Sequence, residues 1–191
     1  MRPSRRPSRR ESRRLPVSEQ GWAVLDERLL HEGWVRVIER TYRLPDGRTT
    51  TWELHAGSDS IGVLALTPDG DVVLVRQFRP GPDRHLVTMP GGIIEPAESP
   101  EQAARRELRE ETGYQPDRLD VVTRVVRGSS TERQYVALAY DCRLAGPQRL
   151  DEFEDCQVMV VPPAEVLRLL RTGAMGGSSL VWPALDAAGL L

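Results

Sequence analysis

Residues 92–114 read Gly-Ile-Ile-Glu-Pro-Ala-Glu-Ser-Pro-Glu-Gln-Ala-Ala-Arg-Arg-Glu-Leu-Arg-Glu-Glu-Thr-Gly-Tyr. A glycine-led loop runs into a segment that announces both its ends as a helix. Ser99 supplies an N-cap hydroxyl, Pro100 a first helical residue that needs no N–H, and Gln102 the reciprocal capping-box partner. Gly113 stops the helix, because it accepts the left-handed conformation there. Along the helix Glu107, Glu110 and Glu111 stand at i, i+3 and i+4, so their carboxylates share one face and repel. Two readings follow from the residues alone. One is a solvated acidic face with Arg105, Arg106 and Arg109 as helix-spaced partners. The other is a set of hard oxygen ligands for a divalent cation such as Mg²⁺ or Mn²⁺.

Written as spacing, the stretch is Gly92, five residues, Glu98, seven residues, Arg106-Glu107-Leu108, one residue, Glu110-Glu111, one residue, Gly113 and Tyr114. This resembles the Nudix box of the Nudix hydrolases at every defining position. A pattern that fixes so many residue types over one loop and helix is far more specific than a lone glycine-rich turn. The resemblance implies a loop-helix that binds divalent metal, Mg²⁺ or Mn²⁺, and hydrolyses a nucleoside diphosphate linked to a second moiety. It implies Glu107, Glu110 and Glu111 as catalytic metal carboxylates and Gly91 as a backbone carbonyl ligand. Gly92, Glu98, Arg106 and Gly113 take structural roles in the box, with Glu98 and Arg106 paired to fix the loop on the helix.

Composition bounds the rest. A chain of 191 residues fits one domain, or one domain with an appendage, and is long enough to bury a real core. No apolar run approaches the roughly 20 residues that span a bilayer, which excludes a membrane role for helices. Cys142 and Cys156 stand in no metal or redox spacing, so they read as buried reduced thiols of a cytoplasmic protein. All 26 basic residues are arginine, and seven of them fall in the first fourteen positions. Without residues 1–16 the body holds 19 basic against 27 acidic side chains, about −8. An acidic body argues against a broad nucleic-acid-binding face. Residues 1–16, rich in Arg, Ser and Pro, read as a disordered tail. No apolar stretch follows Arg13-Arg14, so the tail is not read as an export signal.

Residues 17–60 read as an N-terminal region built on a hairpin, residues 34–42 and 49–55 about the turn Leu44-Pro45-Asp46-Gly47. Such a hairpin resembles the ADP-ribose pyrophosphatase and nucleoside diphosphate-sugar branch of the family, where it helps build a homodimer. Trp34 and Trp52 are candidates either for stacking on a purine or for packing against each other across the strands. Residues 61–191 make the Nudix domain proper. Ile61–Thr67 and Val72–Arg79 flank the turn Pro68-Asp69-Gly70 and read as strands buried on both faces. Arg76-Gln77-Phe78-Arg79 resembles the Arg-Gln-aromatic-Arg signature of nucleotide-sugar enzymes, making Arg76 and Arg79 candidate phosphate ligands, Arg79 ahead of Arg76, with a surface ion pair as the alternative.

Two departures blur the substrate. Thr88 stands where the ADP-ribose enzymes carry an acidic residue, and Arg127 and Ser129 replace the proline and the aromatic of their specificity loop. Gly128 and Glu132 survive, leaving Glu132 as a metal or ribose contact or as a cap to the following strand. A second acidic cluster, Asp151-Glu152-Phe153-Glu154-Asp155, falls where the family has a mobile loop that activates water. By position Glu152 is the catalytic base and Glu154 a metal-proximal carboxylate; a solvated acidic turn is the bland alternative. Residues 162–171 read as an amphipathic helix, and Leu185–Leu191 with Trp182 as a final helix packed on the core.

The fold class expected is α+β, an α/β/α sandwich with a mixed central sheet and the N-terminal antiparallel hairpin. The expected activity is metal-dependent hydrolysis of a nucleoside diphosphate derivative, ADP-ribose or a nucleotide sugar. The alternatives are a house-cleaning nucleoside triphosphate pyrophosphatase and a Nudix-like domain that senses nucleotides without cleaving them.

Overall fold

In the computed structural model, which describes residues 21–191, the chain divides into two compact units, one ending at Ala56 and one running Gly57–Leu191. The reading of residues 1–16 as a tail therefore lies outside the described residues. In the first unit, strands β1 (Ala23–Glu32), β2 (Arg36–Arg43) and β3 (Thr49–His55) form an antiparallel sheet in chain order. The expected hairpin is β2–β3. Its turn is closed by Leu44 N–H on the Arg48 carbonyl and by Asp46, whose Oδ1 accepts from Arg48 N–H at 3.0 Å.

Strand β1 is an addition that the sequence reading passed over. Charges at Asp26, Glu27 and Arg28 mask its period, yet they have partners across the strand pair, Arg28 with Glu39 at 2.7 Å and Glu27 with Arg40 at 2.6 Å. The packing of Trp34 on Trp52 does not occur. Trp34 sits fully exposed in the β1–β2 turn and Trp52 lies opposite Arg40 in register.

In the second unit, β4 (Ser60–Leu66), β5 (Val72–Arg79) and β6 (Arg84–Thr88) precede helix α1 (Pro100–Thr112). After the helix come β7 (Tyr114–Gln115), β8 (Arg118–Val126), β9 (Arg133–Tyr140), β10 (Arg143–Leu144), β11 (Gln157–Val161), α2 (Pro163–Arg171) and α3 (Ser178–Ala187). The main sheet runs β11-β5-β4-β9-β8, with β6 paired to β5. It is mixed, because β4 and β9 are parallel while the other pairs are antiparallel.

Parity sorts the core. Leu64, Val72, Leu74, Val136 and Leu138 point to one face and meet Val166 and Leu169 of α2 and Val181, Ala184 and Leu185 of α3. Their neighbours Val63, Ala65, Val73, Ala137 and Ala139 point to the other face and meet Ala103, Ala104 and Leu108 of α1. This is the α/β/α sandwich expected, and the alanines on the second face let α1 lie close to the sheet. The final helix starts earlier than the sequence suggested and ends at Ala187. Val181, Ala184 and Leu185 at i, i+3 and i+4 form its buried side, so Trp182 falls off that face and is exposed rather than core.

Candidate active site

Helix α1 is held as its sequence specifies. Ser99 Oγ accepts from Gln102 N–H at 3.2 Å, Gln102 Oε1 accepts from Ser99 N–H at 2.8 Å, and Gly113 closes the end at φ 78°. These caps set the rotation of the helix. Glu107 and Glu111 then point inward, buried together with Leu108, while Glu110 lies at the margin.

The loop in front of the helix is shaped to reach them. Pro90 and Gly92 carbonyls accept from Val63 and Ile61 N–H at 2.9 Å each, zipping the loop onto β4 and leaving the Gly91 carbonyl outside this pairing. Gly91 N–H donates to Glu111 Oε2 at 2.8 Å. A side chain at Gly91 (φ 149°) would run into the Ile61 carbonyl, and a Cβ at Gly92 would lie 2.5 Å from Glu107 Oε1. Gly91 is therefore required by the close approach of the β4 backbone, and a Cβ at Gly92 would push the Glu107 carboxylate aside.

Arg106 does more than pair with Glu98. Its Nε and Nη2 bind the two Glu98 oxygens at 2.9 Å each, and Nη2 also donates to the Ile93 carbonyl at 3.0 Å, fixing the loop on the helix. Its Nη1 reaches Glu107 at 2.8 Å and Glu110 at 3.1 Å. The surface-pair reading thus holds for Arg106 and for Arg105, which pairs with Glu101, but not for Arg109, which donates to the Pro147 carbonyl. No arginine partners Glu111 among the described residues.

Burial pushes the Glu111 carboxyl up to about 7 against the opposing Gly91 N–H, and the charges of Glu107 and Glu154 push the same way. Glu107 is raised as well, by burial first and by Glu110 and Glu154 after it, against the pull of Arg106. Two buried carboxyls, both raised chiefly by burial, are a donor set short of positive charge, and hard oxygen donors of this kind fit a dication such as Mg²⁺ or Mn²⁺. Among the described residues no three such groups converge on one point, and Arg106 Nη1 contacts both Glu107 and Glu110.

Beside Gly91 and Gly92 opens a cavity of about 520 Å³, walled by Leu86, Thr88 and Met89 on one side and by Leu180 and Val181 of α3 on another. Arg79 lines it and forms no ion pair among the described residues. Arg76 is not brought there and donates instead to Gln157 Oε1 at 3.1 Å on β11. Thr88 is buried on the cavity wall, its Oγ1 accepting from Gln77 Nε2 at 3.3 Å. Glu132 lies away from the cavity. Its Oε1 accepts from Gly57 N–H at 2.8 Å and its Oε2 pairs with Arg127 at 2.6 Å, so the arginine in the proline's place is a partner to the surviving glutamate.

Of the acidic loop, Glu154 lies within electrostatic reach of Glu107 and Glu111. Glu152 is exposed and has no side-chain partner among the described residues. Sequence reasoning missed the residues that hold this loop. Asp155 Oδ1 accepts from Phe78 N–H at 3.2 Å and Oδ2 lies 3.4 Å from His85 Nε2. Cys156 Sγ donates to Glu111 Oε1 at 3.6 Å, and burial followed by the Glu111 charge pushes this thiol up to about 12. Gln148 binds the Glu111 and Cys156 carbonyls. Asp155 was visible as part of an acidic run; nothing local marked Gln148.

Residues 58–180, more than half of the chain, match the NUDIX domain, and the chain belongs to the Nudix family. It is a Nudix hydrolase; such hydrolases generally use divalent metals. The chain is 36% identical over 132 residues to an ADP-ribose pyrophosphatase of Bacillus subtilis, covering 68% of this chain and 71% of that protein. To an ADP-sugar pyrophosphatase of Mus musculus it is 41% identical over 103 residues, 48% of this chain and 47% of that one. The chain thus spans about half the length of the mouse relative. A solved ADP compounds hydrolase shares the fold, with a TM-score of 0.72 at 19% identity over 94% of this chain and all of that one.

Proposed function

We propose that this chain hydrolyses ADP-ribose or a related nucleotide sugar, with Mg²⁺ or Mn²⁺, releasing a nucleoside monophosphate and a phosphorylated second moiety. The observation that carries the reading is the pair of buried carboxylates, Glu107 and Glu111, set against the side-chain-free Gly91-Gly92 loop at the mouth of the Arg79 cavity. The names of the Bacillus and mouse relatives support the choice of an ADP-linked substrate.

Phosphoanhydride charge repels an attacking water, and a bound dication offsets that charge and draws the diphosphate into place. Glu107, Glu110, Glu111 and the Gly91 carbonyl are the groups that would hold the ion, with Glu154 contributing charge from the loop. Arg106 Nη1 lies where it would have to give way to the ion at Glu107 and Glu110, while Nε and Nη2 hold Glu98 and keep the loop fixed. Arg79 takes a phosphate oxygen; a planar guanidinium does so through two parallel hydrogen bonds. Glu152, exposed on the loop, takes the proton from the attacking water. The new P–O bond forms as the anhydride P–O bond breaks, and the leaving phosphate carries off the electron pair.

The same reading extends to a cytoplasmic homodimer. Cys142 and Cys156 are free and buried, as in a reducing compartment, and no helix among the described residues is long and apolar enough to cross a membrane. In the first unit Leu25, Leu29, Leu30 and Val35 are exposed beside Trp34 and Trp52, apolar surface of the kind that a second copy covers. A panel of nucleoside diphosphate derivatives with Mg²⁺, scored for released monophosphate, tests the proposal. Turnover of ADP-ribose and nucleotide sugars above nucleoside triphosphates is expected, and a preference for triphosphates would refute it.

A further inference from the structure

We infer that Gln148 is a positioning residue for this hydrolysis, clipping the acidic loop 149–155 to the end of the carboxylate-bearing helix; the inference rests on the hydrolase reading of that helix. A helix leaves its last carbonyls without intrahelical donors. At the end of α1 the loop's own stem supplies them. Arg149 N–H donates to the Glu110 carbonyl at 2.8 Å, and Gln148 Nε2 donates to the Glu111 carbonyl. The second N–H of the same amide donates to the Cys156 carbonyl at 2.8 Å. Only the nitrogen of a carboxamide donates, so two carbonyl acceptors also fix which way the amide points.

Cys156 immediately precedes β11, so one side chain ties both ends of the loop to each other and to Glu111. A loop with its ends drawn together in this way has the form of an Ω-loop, a class rich in functional segments. Its far end is tied a second time through Asp155 to Phe78 N–H and His85. Between the ties stand Glu152 and Glu154, and the charge of Glu154 acts on Glu107 and Glu111. The Glu111 carboxylate is set from the other side by Gly91 N–H. Gln148 therefore relates the loop carboxylates to the helix carboxylates without touching substrate, and its loss lets the two sets drift apart.

The test uses the full chain in three forms. Gln148→Met keeps length and packing and removes both donors, and Gln148→Lys restores donors. Two ordinary hydrogen bonds shift a loop-opening equilibrium by about 10- to 100-fold. The Met variant is expected to lose about that factor in kcat on ADP-ribose with Mg²⁺, with KM little changed. Cys156, 4% exposed beside the clip, is expected to react with a thiol reagent faster by a similar factor, read on its own peptide by mass spectrometry. The Lys variant should return both readouts toward the parent. Labelling needs no substrate. If none of the three proteins turns over while the Met variant still unmasks Cys156 and the Lys variant protects it, the clip stands and the substrate reading falls. Unchanged labelling in the Met variant overturns the clip, as does a kcat loss shared equally by Met and Lys.

Discussion

Replacing Glu111 by Gln should stabilise the metal-free protein while destroying its activity. The Glu111 carboxyl is pushed from 4.5 up to about 7 in the folded chain, chiefly by burial. The folded state therefore holds a proton that the unfolded state releases between those values. The stability from that proton is fully present below about pH 4.5 and is lost as pH rises through about 7. At about 1.4 kcal/mol per pKa unit, the parent at pH 8 carries about 3 kcal/mol of destabilisation that a neutral amide does not. Gln keeps an oxygen to accept from Gly91 N–H, so the bond now 2.8 Å long survives.

For a chain of this size about 3 kcal/mol corresponds to a rise in Tm of about 6–12 °C. Thermal melts in chelator at pH 8 and near pH 4.5 read it directly: a clear gap at pH 8 that closes in acid. Mg²⁺ at about 1,000 times its Kd should then reverse the order, since a ligand at that excess stabilises the parent by about 4 kcal/mol and the variant much less. Turnover in the variant should fall by at least about 100-fold, because metal ligation supplies several kcal/mol of charge stabilisation. A variant no more stable than the parent in chelator at pH 8 would refute the account of Glu111 as a carboxylate held under electrostatic stress for function.

Other outcomes separate the remaining roles. Gly91→Ala, forced against the Ile61 carbonyl, should cost about 2–4 kcal/mol in denaturant unfolding, where a surface glycine would cost far less. Arg79→Ala should raise KM by about 10- to 100-fold with Tm unchanged, because the side chain has no ion pair to lose among the described residues; a drop in Tm without a KM effect would make it structural. Glu154→Gln should weaken the Mg²⁺ dependence of turnover, whereas Glu152→Gln should lower kcat at saturating Mg²⁺ by about 100-fold or more. The reverse pattern in steady-state kinetics would exchange their roles.

The parts legible in the sequence were those written in local chemistry. Ser99, Pro100, Gln102 and Gly113 state the ends of α1 in full, and the apolar runs at 61–67 and 72–79 state that their strands are buried on both faces. The resemblance to the Nudix box likewise implied the pairing of Glu98 with Arg106, which the fold forms. What escaped depends on partners far along the chain. Strand β1 is recognisable only once Glu27 and Arg28 have found Arg40 and Glu39. The two-residue strands β7 and β10 carry too little pattern to be seen. Gln148 is an ordinary polar residue until the end of α1 and the start of β11 come within reach of one amide. Arg106 serves both of the partners expected for it, Glu98 and the acidic face of the helix, and a sequence gives no account of how one guanidinium divides its donors between them. The final helix, expected over Leu185–Leu191 with Trp182, runs instead over Ser178–Ala187, with Pro183 inside it.

The central claim is that carboxylates on α1 hold a dication over a pyrophosphate bridge. ³¹P NMR of ADP-ribose with the protein and Mg²⁺ measures this most directly, with excess chelator added midway. The two anhydride resonances should give way to two monoester resonances and the conversion should stop at the moment of chelation. Anhydride signals that persist with Mg²⁺ present, or conversion that continues after chelation, would contradict it.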